Sequence, residues 1–576
     1  MVVIKRKSRR EVNSNSDEYD KASGRTTIEY HMSLRDPYRV VAGDRYPLPW
    51  PYDQSRASND GIDISKIVET GVDQILRNSG ISFTSFSVLS LWPRFNLAKK
   101  RDHLLLYTNN EDYDNWYDAA NAIQSLLDQQ IALSNKQDYR LWVEIRNYKL
   151  MLKDTSSAVR RGTIACEVLK MTQDLVMQSV EILFPNQFTS VSWVLRGAAD
   201  NFNHRTPTVL ITVEPRSSQL WDSHEESIRS AISDIGGINN YECDIDVRIV
   251  AGSNMLLNDW VVPLAKYHDC PGPEADSGVS IGPRCTGPAS GTLGVWVNLL
   301  PAGKTLKTEA VVCFLTCHHV ITAGDPTNAQ ANNAYGIALD GRSALRKIPI
   351  DFPSTIDSRW TIQTLQKRIQ SPEVINRIQT IQNRLDAGGI GYVRHSSGLS
   401  RRTQTRGKLD WALIEVTDQT CVGKNFPALR SKLTPEHFAS FLGDRFINED
   451  VYFDIPGQII DTVGTLSEET VMKPMSWVAK QGRTSRITTG DLNELWSGVK
   501  WDDGTTSRER QILPIIGGET FARPGDSGSL VHNVDKEWIG MMHGANTADD
   551  WGCFTSAQDI IDDIKLKTGG TITLLG

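Results

Sequence analysis

The sequence predicts an α+β amino-terminal domain followed by an all-β domain that carries a helical insertion and a carboxy-terminal helix. Three observations carry this. Apolar residues recur at helical spacing and then give way to a strand, helix, strand order before residue 260. Between residues 268 and 291 the density of Gly, Pro and Ser rises sharply. Beyond it lie short β-rich runs separated by turn residues, the pattern of a barrel or sandwich. At 576 residues the chain has material for several domains and an ample core.

Taken in order, residues 1–60 are polar, with Pro47, Pro49 and Pro51 around Trp50, and predict a tail and extended lead-in with little regular structure. Residues 61–262 form the α+β domain. Ile64, Ile67, Val68, Val72, Ile75 and Leu76 share one face of a helix that Gly80 stops. Two longer helices are predicted over 116–133 and 155–184, the second closed by Pro185. A β-branched strand over 208–213, an amphipathic helix over 225–235 and a strand over 245–250 complete this half. It carries no phosphate loop, metal spacing or repeat, and is expected to bind a protein partner or regulate the rest.

Residues 263–290 are the Gly/Pro-rich linker, and 291–576 the all-β domain. Its strands are predicted over 292–299, 310–316, 411–416, 458–465, 476–479, 529–532 and 538–542. Residues 358–386 interrupt it with helical spacing at Ile362, Leu365, Ile369, Val374, Ile378 and Ile381, either a lid or docking element or a decoration.

The net charge of −7, with 62 Lys+Arg against 69 Asp+Glu, argues against a polybasic nucleic-acid binder. No apolar run approaches the length that spans a bilayer, so no membrane partner is expected. The basic residues 5–10 are followed by polar residues, which reads as a cytoplasmic or nuclear protein, the cluster being a solvated tail or an import patch. Eight cysteines without a Cys-x-x-Cys pair suit a reducing compartment and give no zinc site.

The strongest local signal is Arg523-Pro524-Gly525-Asp526-Ser527-Gly528, followed by an apolar strand. A serine hydroxyl is a poor nucleophile, and acyl transfer requires it on a tight turn beside converging backbone N–H groups. Upstream, the apolar run from Cys313 leads straight into His318 and His319, either of which could serve as base. Asp410 heads the apolar run at 411–416, where burial would let it orient an imidazole. Each also has an ordinary structural reading, but the order His, Asp, Ser, each attached to a β-run, favours chemistry.

Residues 276–576 resemble the trypsin-like, chymotrypsin-fold serine peptidase superfamily, and most closely its signal-less intracellular bacterial, fungal and plant branch. The resemblance rests on Val279-Ser280-Ile281-Gly282-Pro283, Gly291-Thr292-Leu293-Gly294, Leu315-Thr316-x-x-His319-Val320, Gly482-Arg483-Thr484-Ser485 and the Ser527 segment. It implies a double β-barrel, with Ser527 as nucleophile, His319 as base and Asp410 as orienting acid. It further implies an oxyanion hole from the Gly525 and Ser527 N–H groups. Phe521, Met542, His543 and Gly544 would bind a polypeptide substrate lying as an added strand. No cofactor or metal is implied.

The chain departs from the family in three places. Phe521 stands where trypsin-type enzymes place the Asp that selects Arg or Lys. His543 lies near where glutamate- or glutamine-selecting relatives carry a pocket histidine, and reads either so or as a structural hydrogen bond. The separation of His319 from Asp410 exceeds what a compact barrel needs, and the basic loop over 400–408 is either simply exposed or a partner site. No new amino terminus is at hand to insert beside Asp526, so constitutive assembly is expected. The competing readings are a peptide-binding scaffold and an esterase.

Overall fold

The computed structural model describes residues 16–43, 45–136, 138–199, 204–257, 274–285, 289–367, 371–426, 459–464, 466, 477–515 and 520–576. Residues 5–10, half of the predicted linker (263–273 and 286–288), Ile369 of the predicted insertion, and residues 458, 465 and 476 of the predicted strands lie outside this set. Residues 459–464 make only an isolated bridge, Val463 with Trp538, and no strand.

The first sheet has five strands in the order Arg39–Val41, Leu141–Arg146, Arg101–Thr108, Phe83–Pro93 and Tyr52–Arg56. Helices Asn59–Asn78 and Trp116–Leu133 pack on it through Ile64, Val68, Leu76, Ile123 and Leu127. The Ser58 hydroxyl starts the first helix by accepting from the Gly61 N–H, which satisfies one of its free donors.

The lead-in expected to lack structure instead holds the helix Ile28–Leu34 and strands Arg39–Val41 and Tyr52–Arg56. Its polar composition misleads because its charges are buried in pairs. Arg39 and Arg146 each lie 2.7 Å from Glu144, all three buried. Burial pushes the Glu144 carboxyl up, but the two guanidiniums more than offset this and bring it down to about 2.

The helix predicted from residue 155 begins only at Ile164 and runs to Leu183. Thr163 caps it by accepting from the Cys166 N–H, while Asp154–Ser157 forms a strand against Phe188–Ala198. Strands Thr206–Val213 and Asp246–Ala251 run parallel, joined through the helix Trp221–Ser233. That is the predicted strand, helix, strand order with slightly shifted ends.

This sheet does not stop at the barrel. Phe188–Ala198 pairs antiparallel with Ser497–Lys500 (Gly498 opposite Val191), so the strands of the first half run on into a twelve-stranded sheet. Within it, Trp477–Gly482, Arg486–Leu492, Thr506–Pro514, Gly552–Ser556, Trp538–Asn546 and Leu530–Asn533 each pair with the next, and the last returns to the first, closing a six-stranded barrel. A second sheet of eight strands, from Gly291–Thr292 around to Thr571–Leu574, curls into a half-barrel. Its core includes Trp296, Phe314, Leu315, Trp411 and Leu413. The arrangement agrees with a two-barrel domain ending in the helix Ala557–Thr568. Among the described residues no helix is long and apolar enough to cross a membrane.

The insertion is two helices, Thr355–Gln366 and Pro372–Ala387, started by Ser354 and Ser371 as caps. Its base is tied to the barrel. Asp357 accepts from Arg483 Nε and Nη2 at 2.5 Å each and from Ser280 Oγ at 2.5 Å, all buried. Removing one partner of a buried ion pair is costly because the other charge keeps its desolvation penalty. Asp357→Ala is therefore expected to lower unfolding free energy by about 3–5 kcal/mol, read as a shifted urea midpoint, whereas Gln379→Ala on the exposed second helix shifts it little.

Candidate active site

The strand Val311–Thr316 runs into a single helical turn, His318–Ile321, which carries the histidines out of the sheet. Its antiparallel neighbour Ala412–Val416 pairs Ala412 with Thr316, and this register brings Asp410, just before that strand, beside His319. The His319 N–H donates to Asp410 Oδ1 at 3.1 Å, and Nδ1 lies 2.5 Å from Oδ2. On the other side of the ring, Nε2 is 2.6 Å from Ser527 Oγ.

Asp410 is wholly buried. Burial favours its neutral form, but the charge and hydrogen bond of His319 outweigh it and hold the carboxyl well below its usual range. An ionised Asp410 takes the Nδ1 proton as its hydrogen bond, which leaves the Nε2 lone pair toward the Ser527 hydroxyl.

The two histidines are thereby distinguished. His318 is turned away, with Nδ1 2.8 Å from Ser396 Oγ and Nε2 3.0 Å from Asn333 Oδ1, and burial lowers its pKa. Cys317, although near His319 and Asp410, donates its thiol to the Met542 carbonyl at 3.0 Å. Burial pushes that thiol well above its ordinary value.

Ser527 sits in a turn that only glycines can make. Gly525 has φ +96°, and a Cβ there would stand 2.3 Å from Thr484 Oγ1; Gly528 has φ +93°, with the Thr292 carbonyl 2.3 Å from its Cβ position. Between them Asp526 is fully buried and accepts from the backbone N–H groups of Thr484, Ser485 and Arg523 at 2.9, 3.0 and 2.9 Å. Lys480 Nζ, also fully buried, donates to it at 2.8 Å. Burial alone would raise the Asp526 pKa, but Lys480 lowers it below the ordinary value. The sequence reading missed Lys480; the signal was a lone lysine inside the apolar strand Trp477–Gly482.

Phe521 and Met542 pack together in an apolar cluster with Val478, Ala522 and Phe554. The His543 side chain does not join them, and its partners are those of the structural hydrogen-bond reading, the other of the two open for it. A register shift between Met542 and Gly544 turns its ring to the far side of the strand, where Nε2 is 3.4 Å from Glu509 and 3.5 Å from Cys553. Burial pulls its pKa down, but Cys553 and Glu509 raise it well above the ordinary value. Only its carbonyl faces the site, 3.4 Å from Ser527 Oγ.

Ser527 has 0 % of its surface exposed, and its cover is the chain itself. Asn254–Leu256 lies antiparallel on Trp538–Asn546, with Met255 opposite Ala545 and Leu256 opposite Gly544. The Leu257 N–H donates to the His543 carbonyl at 3.2 Å, and the Leu257 carbonyl accepts from the Gly525 N–H at 2.8 Å.

No family model matches the chain, and no curated protein matches it. Among solved structures it is similar to Thermobifida fusca Protease A, at 12 % identity over 52 % of this chain and 100 % of that one, with a TM-score of 0.27. A glutamic acid specific serine protease that uses a histidine triad in substrate binding gives the same four values. The Cellulomonas bogoriensis chymotrypsin matches at 12 % identity over 52 % of this chain and 98 % of that one, with a TM-score of 0.22. These structural neighbours are serine proteases.

Lys480→Met would strand the Asp526 charge in the interior, and is expected to cost about 3–5 kcal/mol of stability by urea unfolding at neutral pH, part of which the double variant with Asp526→Asn recovers. Asp410 titrates lower folded than unfolded, so its share of stability is complete above about pH 4 and is lost as the pH falls below that. The difference in unfolding free energy between wild type and Asp410→Asn should accordingly shrink from pH 6 to pH 3.

Proposed function

We propose that the chain is a serine endopeptidase that hydrolyses peptide bonds through an acyl-enzyme on Ser527. The observation that carries this reading is the His319 ring held between Asp410 and Ser527, one nitrogen within 2.6 Å of each oxygen. His319 Nε2 takes the hydroxyl proton as Ser527 Oγ attacks a carbonyl carbon, and returns it to the leaving amine. Asp410 keeps Nδ1 protonated and stabilises the imidazolium that forms. The Gly525 and Ser527 N–H groups receive the oxyanion, where the loss of one such donor raises a barrier by about 2.7–4 kcal/mol. Water then releases the acyl group by the same steps in reverse.

Phe521 and Met542 supply an apolar wall for the residue on the acyl side, and Gly544 offers its backbone to an extended peptide. The amino-terminal half acts in this reading as a regulatory module, supported by its pairing to the barrel through Gly498 and Val191. One observation favours a second reading, a catalytically latent scaffold that binds peptides: Ser527 has no exposed surface.

A fluorophosphonate probe separates the two. The endopeptidase reading expects covalent modification at Ser527, located by mass spectrometry and absent in Ser527→Ala, with peptide hydrolysis in His319→Ala reduced by roughly 10⁴-fold or more. A folded wild type and a folded variant opened at residue 257 that both stay unlabelled would establish the scaffold.

A further inference from the structure

We infer that the chain is its own first substrate, cut in cis between Leu257 and Asn258, and that the fragment ending at Leu257 then remains as a bound product. This rests on the hydrolase reading above. The covering segment lies as a peptide must lie to be cut. Met255 faces Ala545 across the strand ladder, the Leu257 N–H donates to the His543 carbonyl, and the Leu257 carbonyl accepts from the Gly525 N–H at 2.8 Å. That last donor is one that the mechanism requires for the oxyanion. A loop that merely shielded the serine would have no reason to place a carbonyl there.

The side chain agrees with the backbone. Leu257 is 0 % exposed and packs in the cluster of Phe521, Met542 and Phe554. Full burial of a leucine contributes about 1.5–3 kcal/mol, and the same apolar wall would leave a lysine or arginine at this position without a partner. The occupant thus names the substrate class: extended peptides with leucine or a similar apolar residue on the acyl side of the cut bond.

The segment is also delivered rigidly. Asp246–Ala251 is a strand of the twelve-stranded sheet, and Ser253 and Thr547 exchange backbone and side-chain hydrogen bonds at 3.0 and 2.9 Å. Asn546 Nδ2 donates to Asn254 Oδ1 at 2.8 Å. Holding the Leu257 carbonyl on the Gly525 N–H in this way would replace an encounter with a unimolecular step.

In that step the bond from Ser527 Oγ to the Leu257 carbonyl carbon forms, and the hydroxyl proton passes to His319 Nε2. The bond from that carbon to the Asn258 nitrogen breaks, and His319 gives the proton to the new amine. Water hydrolyses the ester, restoring the Ser527 hydroxyl and leaving a carboxylate on Leu257. The strand pairing that presented the bond is untouched by its cleavage, as are the Arg196 to Asp549 pair at 2.7 Å and the Arg94 to Asp550 hydrogen bond at 2.9 Å. The product therefore stays and inhibits.

The test is the mass and the amino-terminal sequence of the purified full chain, followed over time, beside Ser527→Ala and Leu257→Glu. Expected are two fragments meeting at Leu257 and Asn258 that remain associated on gel filtration, a rate independent of protein concentration, and an intact Ser527→Ala chain. Leu257→Glu should be cut there at least ~10-fold more slowly while labelling faster with the fluorophosphonate probe. A wild type that stays intact, or is cut only elsewhere, overturns the inference without needing any variant to fold. Labelling of Ser527 in Leu257→Glu then tells whether the hydrolase reading survives on its own.

Discussion

The turn that carries Ser527 depends on one buried charge pair, Asp526 with Lys480. Two glycines with positive φ, Gly525 and Gly528, would leave such a loop free to rearrange, and a carboxylate in the interior with no cation would expel itself toward water. Lys480 answers both. It comes from the middle of a barrel strand, where the backbone is fixed by neighbours on either side, and its ammonium reaches the carboxylate that three backbone N–H groups also bind. The orientation of the Gly525 N–H follows from that anchoring.

A second anchoring acts from behind. Arg483, two residues after the barrel strand's Gln481, is bound to Asp357 at the start of the inserted helices, and its backbone N–H donates to Thr292 Oγ1, which in turn donates to the Gly525 carbonyl. The base of the insertion thus braces the serine turn through a short chain of hydrogen bonds. Both sheets contribute: Thr292 belongs to the curled one and Arg483 follows a strand of the closed one.

How far the sequence disclosed this differs from element to element. Ser527, His319 and Asp410 were legible because each adjoins an apolar run whose strand assignment fixes its place, and strand register then decides which of two adjacent histidines meets the aspartate. For His543 the sequence left a pocket role and a structural hydrogen bond both open, because a bulge changes which face a side chain takes and no local pattern announces a bulge. Residues 16–56 were misread because Arg39 and Glu144 are far apart in sequence, so that their mutual neutralisation is visible only once folded. The strands Phe83–Pro93 and Arg101–Thr108 escaped notice since serines and charged residues dilute their apolar alternation. Asn254-Met255-Leu256-Leu257 looked like the end of a domain, because its partner strand begins nearly three hundred residues later.

The pairing of Phe188–Ala198 with Ser497–Lys500 bears on what happens to the barrel if the amino-terminal half is ever lost. Removal would strip the partner from Ser497–Lys500 and bare a row of backbone donors and acceptors around Gly498 and Val499. An exposed edge of that kind is a template for whatever strand arrives next, another molecule of the same protein included. The pairing that joins the two halves thus also guards the barrel against edge-to-edge association.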